Sequence, residues 1–109
     1  MNEAIYLQTA QALARIKTHL QHLELWTETA PSDEALADPS PFCYESMPFE
    51  HWLQFVFLPK MSDLVANQQA LPTQFAISPM AQMRFDNQTA AQALIDELIA
   101  LEKLLDEPR

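Results

Sequence analysis

The stretch with the most influence on the fold is residues 49–61, which read FEHWLQFVFLPKM. Between Trp52 and Leu58 only Gln54 is polar, so a helix formed by these residues is apolar on nearly every side. A helix of this kind belongs in the interior of a protein, because no polar face is left to meet water. We therefore predict a central helix around which the rest of the chain packs.

Prolines mark the start of this helix and an interruption within it. Pro48 suits the first helical turn, where its missing N–H costs nothing, and Ser46 or Met47 is the expected cap. Pro59 lies inside the apolar run, and its ring excludes a carbonyl of the preceding turn from its hydrogen bond. We expect a kink or break there before the helix continues to about Ala66.

Two amphipathic helices are predicted to pack against the central one. The first runs from Glu3 to about Trp26, and the last runs from about Gln88 to Leu105 with Asp86 or Asn87 as its cap. Both have apolar residues at alternating spacings of three and four, which places them on one helix face. These residues are Leu13, Ile16, Leu20 and Leu23 in the first helix and Ala91, Leu94, Leu98, Leu101 and Leu105 in the last.

Long connectors join these helices. About twenty residues after the first helix contain three prolines and no helical pattern. Residues 71–77 form an extended apolar connector that we expect to pack on the bundle, and Pro79 opens a short helical turn. No trustworthy strand alternation is present. The predicted fold class is all-α: a single domain over residues 1–109, built as one compact bundle of about four helices with long proline-containing connectors.

The composition excludes several kinds of site. The chain has no glycine and eight prolines, whereas roughly 7% glycine is usual. Phosphate-binding loops, the dinucleotide-binding turn and the nucleophile elbow all need glycine. Glycine also commonly takes the left-handed position that ends a helix. Without it, we expect helices to end at Asn67 and at the proline connectors, which should be stiff and docked.

Charge and cysteine content restrict the partners. Fifteen acidic and six basic residues give a net charge of −9, and the scattered cations disfavour direct binding to nucleic acid or to an anionic membrane. The single cysteine, Cys43, forms no internal disulfide, and neither a signal peptide nor a membrane span is recognisable. We predict a cytoplasmic protein.

Three groups of reactive side chains were candidates for chemistry. His19 and His22 are three residues apart on a helix but lack the four identified ligands of a closed zinc site. Glu50 and His51 are neighbours, which do not face each other on a helix, and the helix dipole better explains Glu50. Cys43 has no activating neighbour and is expected to be a small buried hydrophobe. We therefore predict no catalytic residue, no metal and no cofactor.

Aromatic residues are concentrated around the central helix, with Phe42, Tyr44, Phe49, Trp52, Phe55 and Phe57 all lying within sixteen residues. These rings either form the core or leave an exposed patch of the kind that binds partners. The interaction surface that we predict consists of Phe42, Tyr44, Trp52, Lys60, Phe75 and Met80. Its predicted occupant is a protein partner or a second copy of the chain.

A recognisable pattern runs through the central helix and both connectors. It consists of EHWLQFV at 50–56 and LPKM at 58–61, with Pro41-Phe42 before them and Leu71-Pro72, Phe75-Ala76 and Pro79 after them. The pattern resembles that of the YqcC-like family of small uncharacterised bacterial proteins, over about residues 5–105. This resemblance implies a mostly helical bundle of about four helices and brings no catalytic residues with it.

Three hypotheses about function follow. The first is a non-enzymatic protein-interaction module. The second is an accessory factor for a tRNA pseudouridine synthase, because members of the family that the chain resembles are often encoded beside such an enzyme. The third is an enzyme that acts on a small molecule with Glu50 and His51, which requires a concave site joining them to Lys60 or Arg84.

Overall fold

The computed structural model describes residues 3–43, 45–73 and 75–106, and within these ranges it contains helices and no strand. The all-α prediction is confirmed. The helices are α1 (Glu3–His22), α2 (Asp33–Leu36), α3 (Phe49–Trp52), α4 (Leu58–Ala66), α5 (Ser78–Arg84) and α6 (Gln92–Asp106). A π-helical turn (Leu53–Phe57) joins α3 to α4, and 3-10 turns occupy Pro41–Cys43 and Thr89–Ala91.

The core lies where α1, α4 and α6 meet. Helix α1 packs along α6 and against α4, and the apolar faces predicted for the two terminal helices are the faces that are buried. The residues concerned are Leu13, Ile16 and Leu20 in α1 and Leu94, Leu98, Leu101 and Leu105 in α6. Leu23, also expected on that face, is half-buried because it follows the end of α1.

The central helix is continuous through Pro59, which corrects the expected break. The backbone stays helical from α3 through the π-helical turn into α4, and the Leu58 N–H donates to the carbonyl of Leu53, five residues earlier. A π turn changes the hydrogen-bond register, so Pro59 enters the helix at a point where the ladder is already irregular. The start also differs, because Pro48 is itself the cap and the first helical residue is Phe49.

Gln54, the polar residue in the apolar run, fastens the chain after α1 to the central helix. Its side-chain amide donates to the carbonyl of Thr27 at 2.6 Å, and its Oε1 accepts the Thr27 N–H at 3.0 Å. The side chain is buried, so these two bonds satisfy polar groups that would otherwise be costly to bury. The π turn is therefore tied to the connector that follows α1.

Two helices, α1 and α4, end next to a left-handed residue although the chain has no glycine. Helix α4 has Asn67 as its C-cap, as expected, whereas α1 ends well before the first proline connector, which corrects that part of the expectation. Helix α1 stops at His22 rather than near Trp26, and Glu24 has φ 59°. The Leu25 N–H then donates to the Leu20 carbonyl and the Glu24 N–H to the Gln21 carbonyl. These two bonds define a Schellman motif, in which glycine normally takes the left-handed position.

Helix α4 ends in the same way. Gln68 has φ 50° and its N–H donates to the Val65 carbonyl, while the Gln69 N–H donates to the Leu64 carbonyl. The Tyr6 hydroxyl also donates to the Gln69 carbonyl at 2.8 Å, which fixes this helix end against α1. Left-handed backbone also occurs at Phe42, Cys43 and Asn87.

A glycine placed at the left-handed end of α4 is expected to stabilise the protein. The left-handed conformation strains any residue with a Cβ, so Gln68→Gly should raise the free energy of unfolding by about 0.5–1 kcal/mol. Asn67→Gly is the matched control and should destabilise the protein. Asn67 has φ −96°, so glycine there relieves no strain, adds freedom to the unfolded chain and removes the hydrogen bond from the Asn67 amide to the Asp63 carbonyl. Urea denaturation measures both variants; a less stable Gln68→Gly protein would contradict the assignment of strain.

Both long connectors contain ordered structure. The segment after α1, expected to be non-helical, holds the single-turn helix α2, whose N–H at Ala35 is capped by the Ser32 hydroxyl. The second connector is docked through Leu71 and Ile77, which are buried as expected. The last helix begins later than predicted, since a 3-10 turn precedes α6 and Gln88 takes the cap position expected for Asp86 or Asn87.

Glu102 of α6 caps the start of α5. Its Oε1 accepts the N–H groups of Ile77 and Ser78, and its Oε2 accepts the Ser78 hydroxyl at 2.8 Å. Glu102 thus supplies the acceptors that α5 lacks in its own sequence. The first turn of a helix attracts a carboxylate because its N–H groups have no helical acceptor.

Loss of this cap should weaken the protein measurably. Glu102→Ala is expected to cost about 2 kcal/mol of unfolding free energy, and Glu102→Gln, which keeps one acceptor oxygen, about 1 kcal/mol. Asp106→Asn serves as control, because Asp106 is exposed on the same helix and should change stability by no more than about 0.5 kcal/mol. Equal effects of Glu102→Ala and Asp106→Asn in urea denaturation would show that the cap is not stabilising.

Candidate functional site

An apolar groove of about 680 Å³ lies between the central helix and the connector before α5. We call it the aromatic groove. The π turn and α4 supply one wall, and the connector supplies the other. Its lining residues are Phe42, Trp52, Val56, Phe57, Lys60, Met61, Leu64, Ala70, Leu71, Pro72, Phe75, Ala76 and Ile77. The volume is within the range of sites that hold a drug-sized molecule or a few side chains of a partner.

The aromatic rings form a continuous row from the core to the groove. Phe42 meets Trp52 edge to face with ring centroids 4.8 Å apart, Trp52 stacks on Phe57 at 5.6 Å, and Phe57 lies 6.2 Å from Phe75. Phe57 is buried, whereas Phe42, Trp52 and Phe75 are half-buried. The aromatic residues are therefore partly core and partly surface, and the surface portion lines the groove.

Phe42 reaches Trp52 from a strained turn. Its φ is 58° within the 3-10 turn Pro41–Cys43, and a bulky residue rarely adopts this conformation unless its surroundings enforce it. Cys43 is buried, as predicted, with its thiol 3.5 Å from the Asp38 carbonyl. The Ser40 backbone N–H donates to the Asp38 carboxylate at 2.9 Å and lowers the pKa of that carboxyl. These contacts hold the turn that carries Phe42.

Lys60 supplies a positive charge at the rim of the aromatic groove. It is exposed and forms no ion pair with any carboxylate in the described ranges. Two other cations are already paired, since Arg15 contacts both oxygens of Glu97 and Arg84 contacts both oxygens of Glu50. The groove thus combines a wide apolar surface with one available cation.

Four of the residues predicted for the interaction surface, namely Phe42, Trp52, Lys60 and Phe75, lie together in the aromatic groove. Met80 is half-buried against the core and is not among the described residues of the lining. Tyr44 lies outside the described residues. The predicted interaction surface did not name Val56, Leu64 or Ala76, because their place on the wall depends on the π turn and on the docking of the connector.

Glu50 is buried and forms an ion pair with Arg84. Its side chain is only 8% exposed, and its carboxylate accepts hydrogen bonds from Nε of Arg84 at 2.9 Å and from Nη2 of Arg84 at 2.8 Å. The pair links α3 to α5, so the helix dipole alone does not explain Glu50. His51 packs edge-on to Phe55 at 6.4 Å. Neither Glu50 nor His51 is among the described residues that line the aromatic groove.

No group of three His, Cys, Asp or Glu side chains within the described ranges is arranged to hold a metal ion, and His19 and His22 belong to no such group. The same part of the chain contains no helix with the length and apolar character needed to cross a membrane.

A second, smaller depression of about 480 Å³ lies between α1 and α4. Its wall includes Ala10, Ala14 and Ala66, and Lys17 extends over the Trp26 ring with its Nζ 5.1 Å from the centroid. Lys17 is therefore engaged with an aromatic face. This depression is the main alternative surface for a partner or a second copy, because it leaves part of α1 and α4 open to contact.

Comparisons with known proteins agree with this architecture. The family model DUF446, described as tRNA pseudouridine synthase C, matches residues 8–104. A protein of Haemophilus influenzae, called uncharacterized, is 38% identical over 97 residues, which is 89% of this chain and 92% of that one. The solution NMR structure of YqcC from E. coli superposes with a TM-score of 0.82 at 27% identity and covers 96% of this chain and 91% of that one.

A third relative is much longer than this chain. It comes from Pectobacterium carotovorum, is named tRNA pseudouridine synthase C, and is 38% identical over 65 residues. The match covers 60% of this chain but only 17% of that protein. Taken together, the family match over most of the chain and the superposition on YqcC show that this chain belongs to the YqcC-like family of uncharacterised helical proteins.

Proposed function

We propose that the chain is a non-enzymatic interaction module that binds an apolar segment of a partner protein in the aromatic groove. The observation that supports this best is the half-buried row of Phe42, Trp52 and Phe75 on the wall of an open groove. The exposed face of an aromatic ring is unfavourable in water until a partner covers it. Aromatic side chains are also among the residues that contribute most to binding between proteins.

The shape and chemistry of the groove favour a polypeptide over a small substrate. The described side chains of its lining are apolar apart from Lys60, so they offer few groups that could orient a polar substrate or move a proton. Met61 and Leu64 add adaptable and aliphatic surface beside the rings. An apolar side chain or a helix face from a partner would complete the packing of this surface.

Site-specific photo-cross-linking in the source cell tests this proposal. A photoreactive residue at Ala76, which is exposed and lines the groove, should cross-link one polypeptide that mass spectrometry identifies. The same residue at Gln21, exposed on α1, is the control and should not. The identified protein must then bind the purified chain with measurable affinity. Cross-links at Gln21 alone, to a partner or to a second copy, would contradict the proposal.

A second candidate function is that of an accessory factor for a tRNA pseudouridine synthase. Its support is the family description and the longer relative of that name, in which a segment similar to this chain makes up 17% of the protein. A module that occurs within the same chain as an enzyme is held at high effective concentration beside it, which favours cooperation between the two. The charge of −9 favours contact with the enzyme rather than with RNA.

Complex formation between purified proteins and pseudouridine content in a deletion strain together test this second candidate. The tRNA pseudouridine synthase of the same cell is expected to form a stoichiometric complex with the full chain in sedimentation experiments, and Phe75→Ala should weaken that complex. Deletion of the chain should lower pseudouridine at the target position of the enzyme. Full modification in the deletion strain, together with no complex, would remove this candidate and leave the interaction proposal to the cross-linking test.

A further inference from the structure

Within the described ranges, two cations that form neither an ion pair nor a contact with an aromatic ring, Lys60 and Lys103, lie at the aromatic groove and at a depression next to it. A smaller depression adjoins the groove and shares Phe75 and Ala76 with it, and its lining includes Lys103. Lys60 belongs to α4 and lines the aromatic groove, and Lys103 belongs to α6 and lines the adjoining depression. Within the described ranges, neither is in an ion pair with a carboxylate, whereas Arg15 and Arg84 both are.

The carboxylates near Lys103 differ in how far they offset its charge. Glu102 also lines the smaller depression, but its oxygens accept hydrogen bonds from the first turn of α5. Asp106 is exposed in the same depression and stands three residues after Lys103, so it reduces the positive charge there. Lys60 likewise has an exposed carboxylate, Asp63, three residues after it on α4. No carboxylate is among the described residues that line the aromatic groove itself. Lys60 contacts this groove directly, whereas Lys103 lines only the adjoining depression.

The chain has a net charge of −9, so the position of its few unpaired cations indicates where an acidic partner could bind. An acidic protein repels acidic partners at most of its surface, so the few available cations select where such a partner can dock. We infer that the groove takes an apolar polypeptide segment with acidic residues beside it, one carboxylate facing Lys60 and another facing Lys103. This inference rests on the proposed function and specifies the chemistry of the partner segment.

A phage-displayed library of random twelve-residue peptides, selected on the full chain, tests the inference. Selected peptides should combine aromatic or aliphatic residues with Asp or Glu on either side. Synthetic fluorescein-labelled versions should bind less tightly as salt is raised, because exposed charge pairs are screened. By fluorescence anisotropy, Lys60→Gln should weaken binding about threefold to fivefold and Lys103→Gln about twofold. Asp106→Asn should strengthen it.

The control is Lys17→Gln, which removes the cation of the α1 and α4 depression and should leave peptide affinity unchanged. Peptides that are apolar but neutral or basic, bound equally by wild type and Lys60→Gln, would overturn the inference. If Phe75→Ala abolished the binding of those peptides, the proposed function would still stand. Failure to select any peptide that depends on Phe75 would overturn both the inference and the proposed function.

Discussion

Arg84→Met is expected to lose about 3 kcal/mol of unfolding free energy, because it strands a buried carboxylate. Glu50 is 8% exposed at its side chain and both of its oxygens face Arg84. Breaking a buried pair from one side typically costs about 3–5 kcal/mol. We take the low end because the Arg84 side chain is 37% exposed and solvent screens part of the interaction.

Substitution of the other partner, Glu50, should cost less stability than substitution of Arg84. This difference between the two variants tests whether the ion pair has a structural role. Glu50→Leu leaves Arg84 free to turn towards water, so about 1–2 kcal/mol is expected. The double variant Glu50→Leu with Arg84→Met should be closer to wild type than Arg84→Met alone, since no unpaired charge remains buried. Urea denaturation of all four proteins at pH 7 measures the cycle. A loss below about 0.5 kcal/mol in Arg84→Met would show that the pair does not hold α3 against α5.

Phe75→Ala is expected to weaken partner binding at least 30-fold, which is about 2 kcal/mol. Phe75 lies on the connector wall of the groove, with its ring 6.2 Å from that of Phe57. Because Phe75 is half-buried, truncation removes contact surface without opening the centre of the core. Isothermal titration with the partner identified by cross-linking gives the change in Kd.

Met83→Ala is the matched control for the Phe75 substitution. Met83 is 77% exposed and is not among the described lining residues of the aromatic groove, so removing its apolar side chain should leave Kd unchanged. A comparable loss in both variants would indicate general apolar adhesion rather than binding in the groove. A circular dichroism melt of each variant confirms that the fold is retained during the titration.

Much of the fold could be predicted from the helical periodicity of apolar residues. The spacing of Leu94, Leu98 and Leu101 correctly predicts the buried face of α6, because the apolar face of a helix is the one that packs against its neighbour, here α1. The apolar run around Leu53 likewise identified the central helix. In the aromatic groove, Phe42, Trp52, Lys60 and Phe75 could be predicted from residue type and position, because so many aromatic residues around the central helix of a small domain leave some of them at its surface.

The π turn and the cap of α5 were beyond local reasoning, because each depends on residues far away in the chain. The π turn places Gln54 against the backbone of Thr27, and α5 takes its cap from Glu102 of α6. The left-handed positions at Glu24 and Gln68 have no compositional sign, since neither residue type favours that conformation. The pairing of Glu50 with Arg84 is long-range for the same reason.

The central claim is that the partner occupies the aromatic groove, and an NMR titration tests it most directly. The purified partner is added to the ¹⁵N-labelled chain and amide and indole shifts are followed. The largest changes should fall on the Trp52 indole and on the amides of Phe42, Lys60 and Ala76, while the exposed face of α1 stays unchanged. Changes concentrated on Ala10, Ala14 and Lys17 would place the partner between α1 and α4 and contradict the account.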